Sequence, residues 1–148
     1  TDNVPGIAGL GCAAKEAYTD FDKKVTHLCE LKQFFMEEVQ KIPDTVLNSL
    51  PGDQGAPQIV SLSFAGVRSE VLLHALEEKG IYVSSGSACS SNKKLPVSPV
   101  LKEIGLKKDL LDSTVRFSFC ENTTKEELEY CLQQLKELLM VLRRYSRH

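Results

Sequence analysis

An excess of charge of either sign is missing from this chain. Its 148 residues carry 18 Lys and Arg against 20 Asp and Glu, a net charge of −2, so no bulk positive potential draws it to nucleic acid. Long apolar runs are missing too. None approaches the roughly 18 residues of a membrane span, and no charged start followed by an apolar stretch marks a secretory signal. Closely spaced cysteine pairs are absent. Cys12, Cys29, Cys89, Cys120 and Cys131 lie 17, 60, 31 and 11 positions apart, whereas structural zinc sites use pairs separated by about two to four residues. His27, His74 and His148 do not complete such a set. An odd number of cysteines without an export signal reads as reduced thiols in a cytoplasmic protein. The chain opens on Thr1 rather than on Met, which fits either processing or a piece of a longer protein.

What is present is the material of one globular domain. Hydrophobic residues make up 42% and charged residues 26%, as in ordinary folded proteins, and the length suffices for a single core. Pro5, with Asp2 or Asn3 as cap, opens a helix rich in Gly and Ala that is expected to pack closely on something else. Phe21, Val25, Leu28, Phe35, Val39 and Ile42 recur at helical spacing over about residues 20–41, and Pro43 stops that helix. Val46-Leu47-Asn48 reads as a short edge strand. The Pro- and Gly-rich stretch 51–57 is a loop, and Ile59 to Phe64 is a covered strand.

A helix follows over about 69–79, closed by Gly80, with His74 within it read as a solvent-facing or satisfied histidine rather than a catalytic one. Ile81–Val83 reads as a strand, and Val100, Leu101 and Ile104 as a short helix ended by Gly105. Thr114 to Phe119 is a strand. Thr124-Lys125-Glu126-Glu127 is a capping box, and it starts a final helix with Leu128, Cys131, Leu132, Leu135, Leu138, Leu139 and Leu142 on one stripe. That stripe suits packing on a sheet; a short leucine zipper is the alternative. The basic end, Arg143, Arg144, Arg147 and His148, reads as a solvated helix terminus. Together these elements give an α/β sandwich, an α+β small domain whose sheet of three to four strands is covered by helices; the connection lengths do not settle strand direction, and an antiparallel sheet is the expectation.

Two places carry chemistry. Ser84-Ser85-Gly86-Ser87-Ala88-Cys89-Ser90-Ser91 surrounds a thiol with small residues that make neither a core nor a helix, as a functional loop does. The competing reading is a small buried cysteine at a strand end. A nucleophilic cysteine acts as thiolate; Lys93 and Lys94 offer positive potential or are ordinary solvated lysines, and no histidine is near in sequence. Arg116 lies inside a strand between Val115 and Phe117. Its planar fork matches a carboxylate; otherwise it faces solvent.

The stretch Val83 to Ser91 resembles the active-site loop of cysteine desulfurases of the NifS/IscS type. Thr1-Asp2-Asn3-Val4-Pro5-Gly6-Ile7-Ala8-Gly9-Leu10-Gly11 resembles the family segment that begins its long connecting helix. Gly55-Ala56-Pro57, Val115-Arg116-Phe117-Ser118 and Thr123-Thr124-Lys125-Glu126-Glu127 match the family in order and spacing, so the resemblance covers nearly the whole chain. It implies a pyridoxal phosphate (PLP) enzyme that moves sulfur from L-cysteine to a cysteine persulfide and releases L-alanine. The persulfide sulfur would then pass to an acceptor such as an iron–sulfur scaffold protein.

By that resemblance Cys89 is the nucleophile, Arg116 binds the substrate carboxylate, and Thr1 reaches the cofactor phosphate across a homodimer. No metal site, nucleic acid or membrane is implied. The segment around Asn92-Lys93-Lys94 makes the loop one residue longer than in the commonest members. The family's PLP lysine and ring-binding residues lie upstream of the part matched here. The resemblance therefore implies the C-terminal portion of the enzyme, with residues 1–43 as connecting helices and 44–148 as the small domain. Alone, such a chain is expected neither to hold PLP stably nor to turn over. A selenocysteine lyase, a related aminotransferase on the same fold and a cofactor-free sulfur carrier are the other readings; an aminotransferase has no use for the cysteine loop.

Overall fold

The computed structural model describes residues 1–52, 54–85 and 98–145. The elements follow in the order α1 (Val4–Tyr18), α2 (Phe21–Val39), β1 (Thr45–Leu47), β2 (Ile59–Phe64), α3 (Ser69–Glu77), β3 (Ser84–Ser85), α4 (Pro99–Glu103), a 3-10 turn at Lys108–Leu110, β4 (Thr114–Ser118) and α5 (Lys125–Tyr145). The four strands form one antiparallel sheet in the order β1-β2-β4-β3. The α+β class and the small antiparallel sheet read from the sequence are both found, with four strands.

The pleat sorts β2 and β4 into two faces, because successive strand residues point to opposite sides. Val60, Leu62 and Phe64 with Val115 and Phe117 turn to the core. Leu31, Phe35, Met36 and Val39 of α2, Leu72 and Leu76 of α3, and Leu128, Leu132, Leu135 and Leu139 of α5 cover them. Three phenylalanines lock the layers: Phe35 meets Phe117 with ring centroids 5.1 Å apart and Phe119 at 5.5 Å. The α5 stripe therefore packs within its own chain, not as a zipper. The capping box is formed as expected. Thr124 N donates to Glu127 Oε2 at 2.9 Å, and Glu127 N donates to Thr124 Oγ1 at 3.3 Å.

Helix α1 has the expected cap, Asn3 Oδ1 accepting from Gly6 N at 3.1 Å; among the described residues it touches the start of α2, through Tyr18 and Phe21 at 5.4 Å between ring centroids, and buries none of its own residues. Val4, Ile7 and Leu10 are 65%, 63% and 71% exposed, and a Cβ added at Gly9 or Gly11 meets no atom within 4 Å. Two local expectations are corrected. The run Ile81–Val83 does not pair. Gly80, at φ +75°, reverses the chain after α3, and Ile81 N donates back to Leu76 O at 2.9 Å. The backbone first joins the ladder at Ser84 and Ser85. Ile81 and Val83 still pack against the core, which is why their apolar character reads as a strand.

The second correction concerns Arg143, which is no solvated terminus. Its Nε donates to Ala65 O at 3.1 Å, Nη1 to Pro43 O at 2.8 Å and Nη2 to Asp44 O at 3.1 Å. One planar fork thus ties α5 to the corner before β1 and to the turn after β2. Asp44 has a φ of +53°, a conformation that costs a non-glycine residue energy. Arg143→Ala is expected to lower stability by roughly 2 kcal/mol, the scale of hydrogen bonds from a charged donor. Arg144→Ala, on an exposed position, should stay within about 0.5 kcal/mol. Paired urea titrations of the two variants check the contrast.

Candidate functional site

The sheet face opposite the core is polar by sequence. Register places Ser61 opposite Arg116 and Ser63 opposite Thr114, with Ser84 opposite Arg116 on the other side. At one end these hydroxyls satisfy one another. Ser63 Oγ lies 2.6 Å from Thr114 Oγ1, Asn48 Nδ2 donates to Ser63 Oγ at 2.8 Å, and Thr114 Oγ1 donates to Leu110 O at 2.8 Å. That end is buried and closed.

Arg116 begins the open end. It is exposed, and its Nη2 donates to Ser84 Oγ at 3.4 Å. Among the described residues no carboxylate forms an ion pair with it; the six ion pairs found there involve other groups. Both cross-strand neighbours are serines, too short to screen the fork. A guanidinium has five N–H donors, so most of this one's capacity faces outward and suits a planar anion such as a carboxylate. The strand that flanks it, β3, delivers the chain into the segment bearing Cys89. Cys89 itself lies outside the described residues, as do Lys93 and Lys94. Thr1 lies exposed before α1, whose residues are all exposed.

The other thiols differ in chemistry. Burial pushes the Cys131 thiol up to about 12, so it stays protonated and inert. Cys29 is half-buried beside Gly52, where an added Cβ would stand 3.1 Å from its Sγ. Cys12 and Cys120 are exposed. Cys120 ends the strand in a turn in which its own N donates to Thr123 Oγ1 at 3.0 Å, and that hydroxyl lies 3.6 Å from its Sγ. The hydrogen bond from Thr123, followed by the backbone N–H of Asn122, lowers the thiol below its ordinary value, because both favour thiolate. Nothing local in the sequence marked the turn that holds Cys120, or Ser84 as the partner of Arg116.

Lys32, the buried lysine among the described residues, does not fit a PLP Schiff base. A Schiff base needs a free lysine amine, and the buried Lys32 is held otherwise: its Nζ donates to Ala56 O at 2.9 Å. It sits on α2, which packs against the core side of the sheet, whereas Arg116 occupies the polar side. Burial lowers the Lys32 amine below its ordinary range, with Cys29 opposing, so this amine is a satisfied interior group. Two grooves among the described residues, one between α2 and α5 around Phe34 and Leu132 and another around Cys29 and Gly52, involve none of the site residues.

Residues 1–131 match the family described as aminotransferase class-V, and the chain belongs to that family, whose members depend on PLP. Within it, the chain is 40% identical over 147 residues to a cysteine desulfurase IscS of Dictyoglomus turgidum, covering 99% of this chain and 37% of that protein. It is 36% identical over 146 residues to a cysteine desulfurase IscS of Methanosarcina thermophila, covering 99% of this chain and 36% of the relative. The chain thus spans little more than a third of the length of these curated relatives. A solved NifS-like protein superposes with a TM-score of 0.81 at 26% identity, over 95% of this chain and 35% of that one. The cysteine desulfurase CsdA of Escherichia coli, at 22% identity, shares the fold with a TM-score of 0.75 over 95% of this chain and 32% of its own.

Proposed function

We propose that this chain is the part of a cysteine desulfurase that binds the carboxylate of L-cysteine and receives its sulfur. The observation that carries the proposal is Arg116: a charged fork on the polar sheet face, free of ion pairs among the described residues, one strand away from the segment that bears Cys89. The relatives named cysteine desulfurase, at 36–40% identity along nearly the whole chain, support the same reaction. In it Arg116 fixes the amino acid by its carboxylate. Cys89 takes the sulfur as a persulfide, and L-alanine leaves. Breaking the carbon–sulfur bond draws on the chemistry that PLP supplies, and from this chain only the Cys89 thiol, which receives the sulfur, is assigned to that step.

The proposal extends to what surrounds the chain. PLP and its lysine belong to protein outside these residues, so the chain alone neither holds the cofactor stably nor turns over. Residues 1–43 act as connecting helices and 44–148 as the small domain. Exposed apolar positions on α1 leave a surface for the remainder of a homodimeric enzyme, in which Thr1 reaches the cofactor phosphate. The acceptor of the persulfide sulfur is a protein such as an iron–sulfur scaffold. All four described cysteines are free thiols, as in a reducing, cytoplasmic setting. Among the described residues no helix is long and apolar enough to cross a membrane.

Arg116→Ala tests the reading in the full-length protein that contains this chain. Losing hydrogen bonds between charged partners costs roughly 10- to 100-fold in binding, so KM for L-cysteine should rise by that factor. Arg116→Lys should recover only part of it, since an ammonium lacks the fork. An unchanged KM in Arg116→Ala contradicts the assignment. A parallel assay with L-selenocysteine separates desulfurase from selenocysteine lyase.

A further inference from the structure

Arg116 has a single hydrogen-bonded partner among the described residues, and that partner sits on the strand that leads to Cys89. Ser84 and Arg116 face each other across the β3–β4 ladder. Side chains at such paired positions have Cβ atoms about 5 Å apart, so a short hydroxyl on one reaches the guanidinium of the other. Ser84 Oγ accepts from Arg116 Nη2 at 3.4 Å. On the opposite side of Arg116 the paired residue is Ser61, whose backbone N–H donates to Ser49 Oγ at 2.8 Å and for which no bond to the arginine is found. The two serines are similarly small, yet only Ser84 holds the fork.

We infer that Ser84 is a positioning residue for the substrate carboxylate: it holds the Arg116 guanidinium toward β3, on the side of the sheet where the chain departs for Cys89. The inference rests on the carboxylate role proposed for Arg116. Its physical basis is conformational. An exposed arginine loses much side-chain freedom when it binds a ligand. A hydroxyl that already restrains one Nη lowers that loss while leaving the remaining donors for the carboxylate. Ser84 touches no reacting atom in this scheme; it acts through Arg116. It also ties two separate parts of the sequence, residues 84 and 116, into one unit, so that the anion site and the base of the cysteine segment keep a fixed relation.

The test uses the full-length protein loaded with PLP and measures L-cysteine desulfuration for Ser84→Ala, Ser84→Thr, Arg116→Ala and the Ser84→Ala/Arg116→Ala double variant. A long, exposed hydrogen bond from a charged donor, at 3.4 Å, corresponds to roughly a 2- to 10-fold change. Ser84→Ala should raise KM by that factor with kcat within about 2-fold, and Ser84→Thr, which keeps a hydroxyl and suits a strand, should restore KM. In the double variant the loss of Ser84 should add nothing, because its effect passes through the arginine. Additive effects, an unchanged KM in Ser84→Ala, or a fall in kcat or melting temperature without a KM change overturns the inference. If Arg116→Ala raises KM and Ser84→Ala does not, the inference about Ser84 fails alone. If Arg116→Ala is also silent, the carboxylate reading fails with it.

Discussion

Replacing Cys89 by alanine in the full-length protein is expected to lower sulfur transfer from L-cysteine by at least about 10³-fold, the scale of losing the nucleophile of a covalent mechanism. The size of the effect depends on whether another thiol can substitute. Cys131 is buried and held protonated, its pKa raised to about 12. Cys29 is half-buried against Gly52. Cys12 lies on α1, none of whose residues is buried. Cys120 is the described thiol closest to a reactive state, since the hydrogen bond from Thr123 favours its thiolate. That same turn fixes it: Thr123 N donates to Cys120 O at 3.0 Å, and Thr123 O lies 3.0 Å from Nε2 of His27 on α2. A thiol clamped in the turn between β4 and α5 makes a poor shuttle between a cofactor and an outside acceptor. Alanine and sulfide release, measured with and without a reducing thiol, checks the loss; Cys120→Ala should stay within about 2-fold of the unmodified protein.

Phe35→Ala should produce the largest loss of stability, about 3–5 kcal/mol. Phe35 is fully buried and joins α2 to β4 through two ring contacts, to Phe117 at 5.1 Å and to Phe119 at 5.5 Å in edge-on geometry. Truncation removes the transfer energy of the ring and opens a cavity that rigid neighbours on a sheet fill poorly. The paired aromatic geometry contributes beyond area alone. For a domain of this size the loss corresponds to a fall of roughly 10 °C or more in melting temperature. Phe34→Ala one residue earlier, half-buried beneath Lys125 at 4.6 Å from its centroid, should cost much less. Differential scanning calorimetry of the two variants distinguishes a core anchor from a surface ring.

Periodicity made most of the secondary structure legible. The helical spacing of Leu28, Phe35 and Val39 and the leucine stripe from Leu128 to Leu139 marked the faces that do pack. The Thr124 capping box was readable because its two hydrogen bonds lie within four residues. What local sequence does not encode is pairing over distance. Arg143 reaches carbonyls 78 to 100 positions away, so its charge alone gave no sign of a clamp. Ser84 and Arg116 are 32 positions apart, and their contact follows from a register that no short window specifies. The run Ile81–Val83 misled for a related reason: apolar side chains report burial, whereas entry into a ladder depends on which backbone groups are still free, and Ile81 N is taken by Leu76 O. The small, apolar residues of α1 read as a packing surface, and among the described residues they stay exposed.

The most direct measurement is the location of the sulfur. The full-length protein, loaded with PLP, treated with one equivalent of L-cysteine and alkylated without reduction, should yield a single peptide heavier by one sulfur atom, the peptide containing Cys89. The extra sulfur on the Cys120 peptide, or on no cysteine of this chain while alanine is still released, would contradict the assignment of Cys89 as the sulfur-receiving thiol.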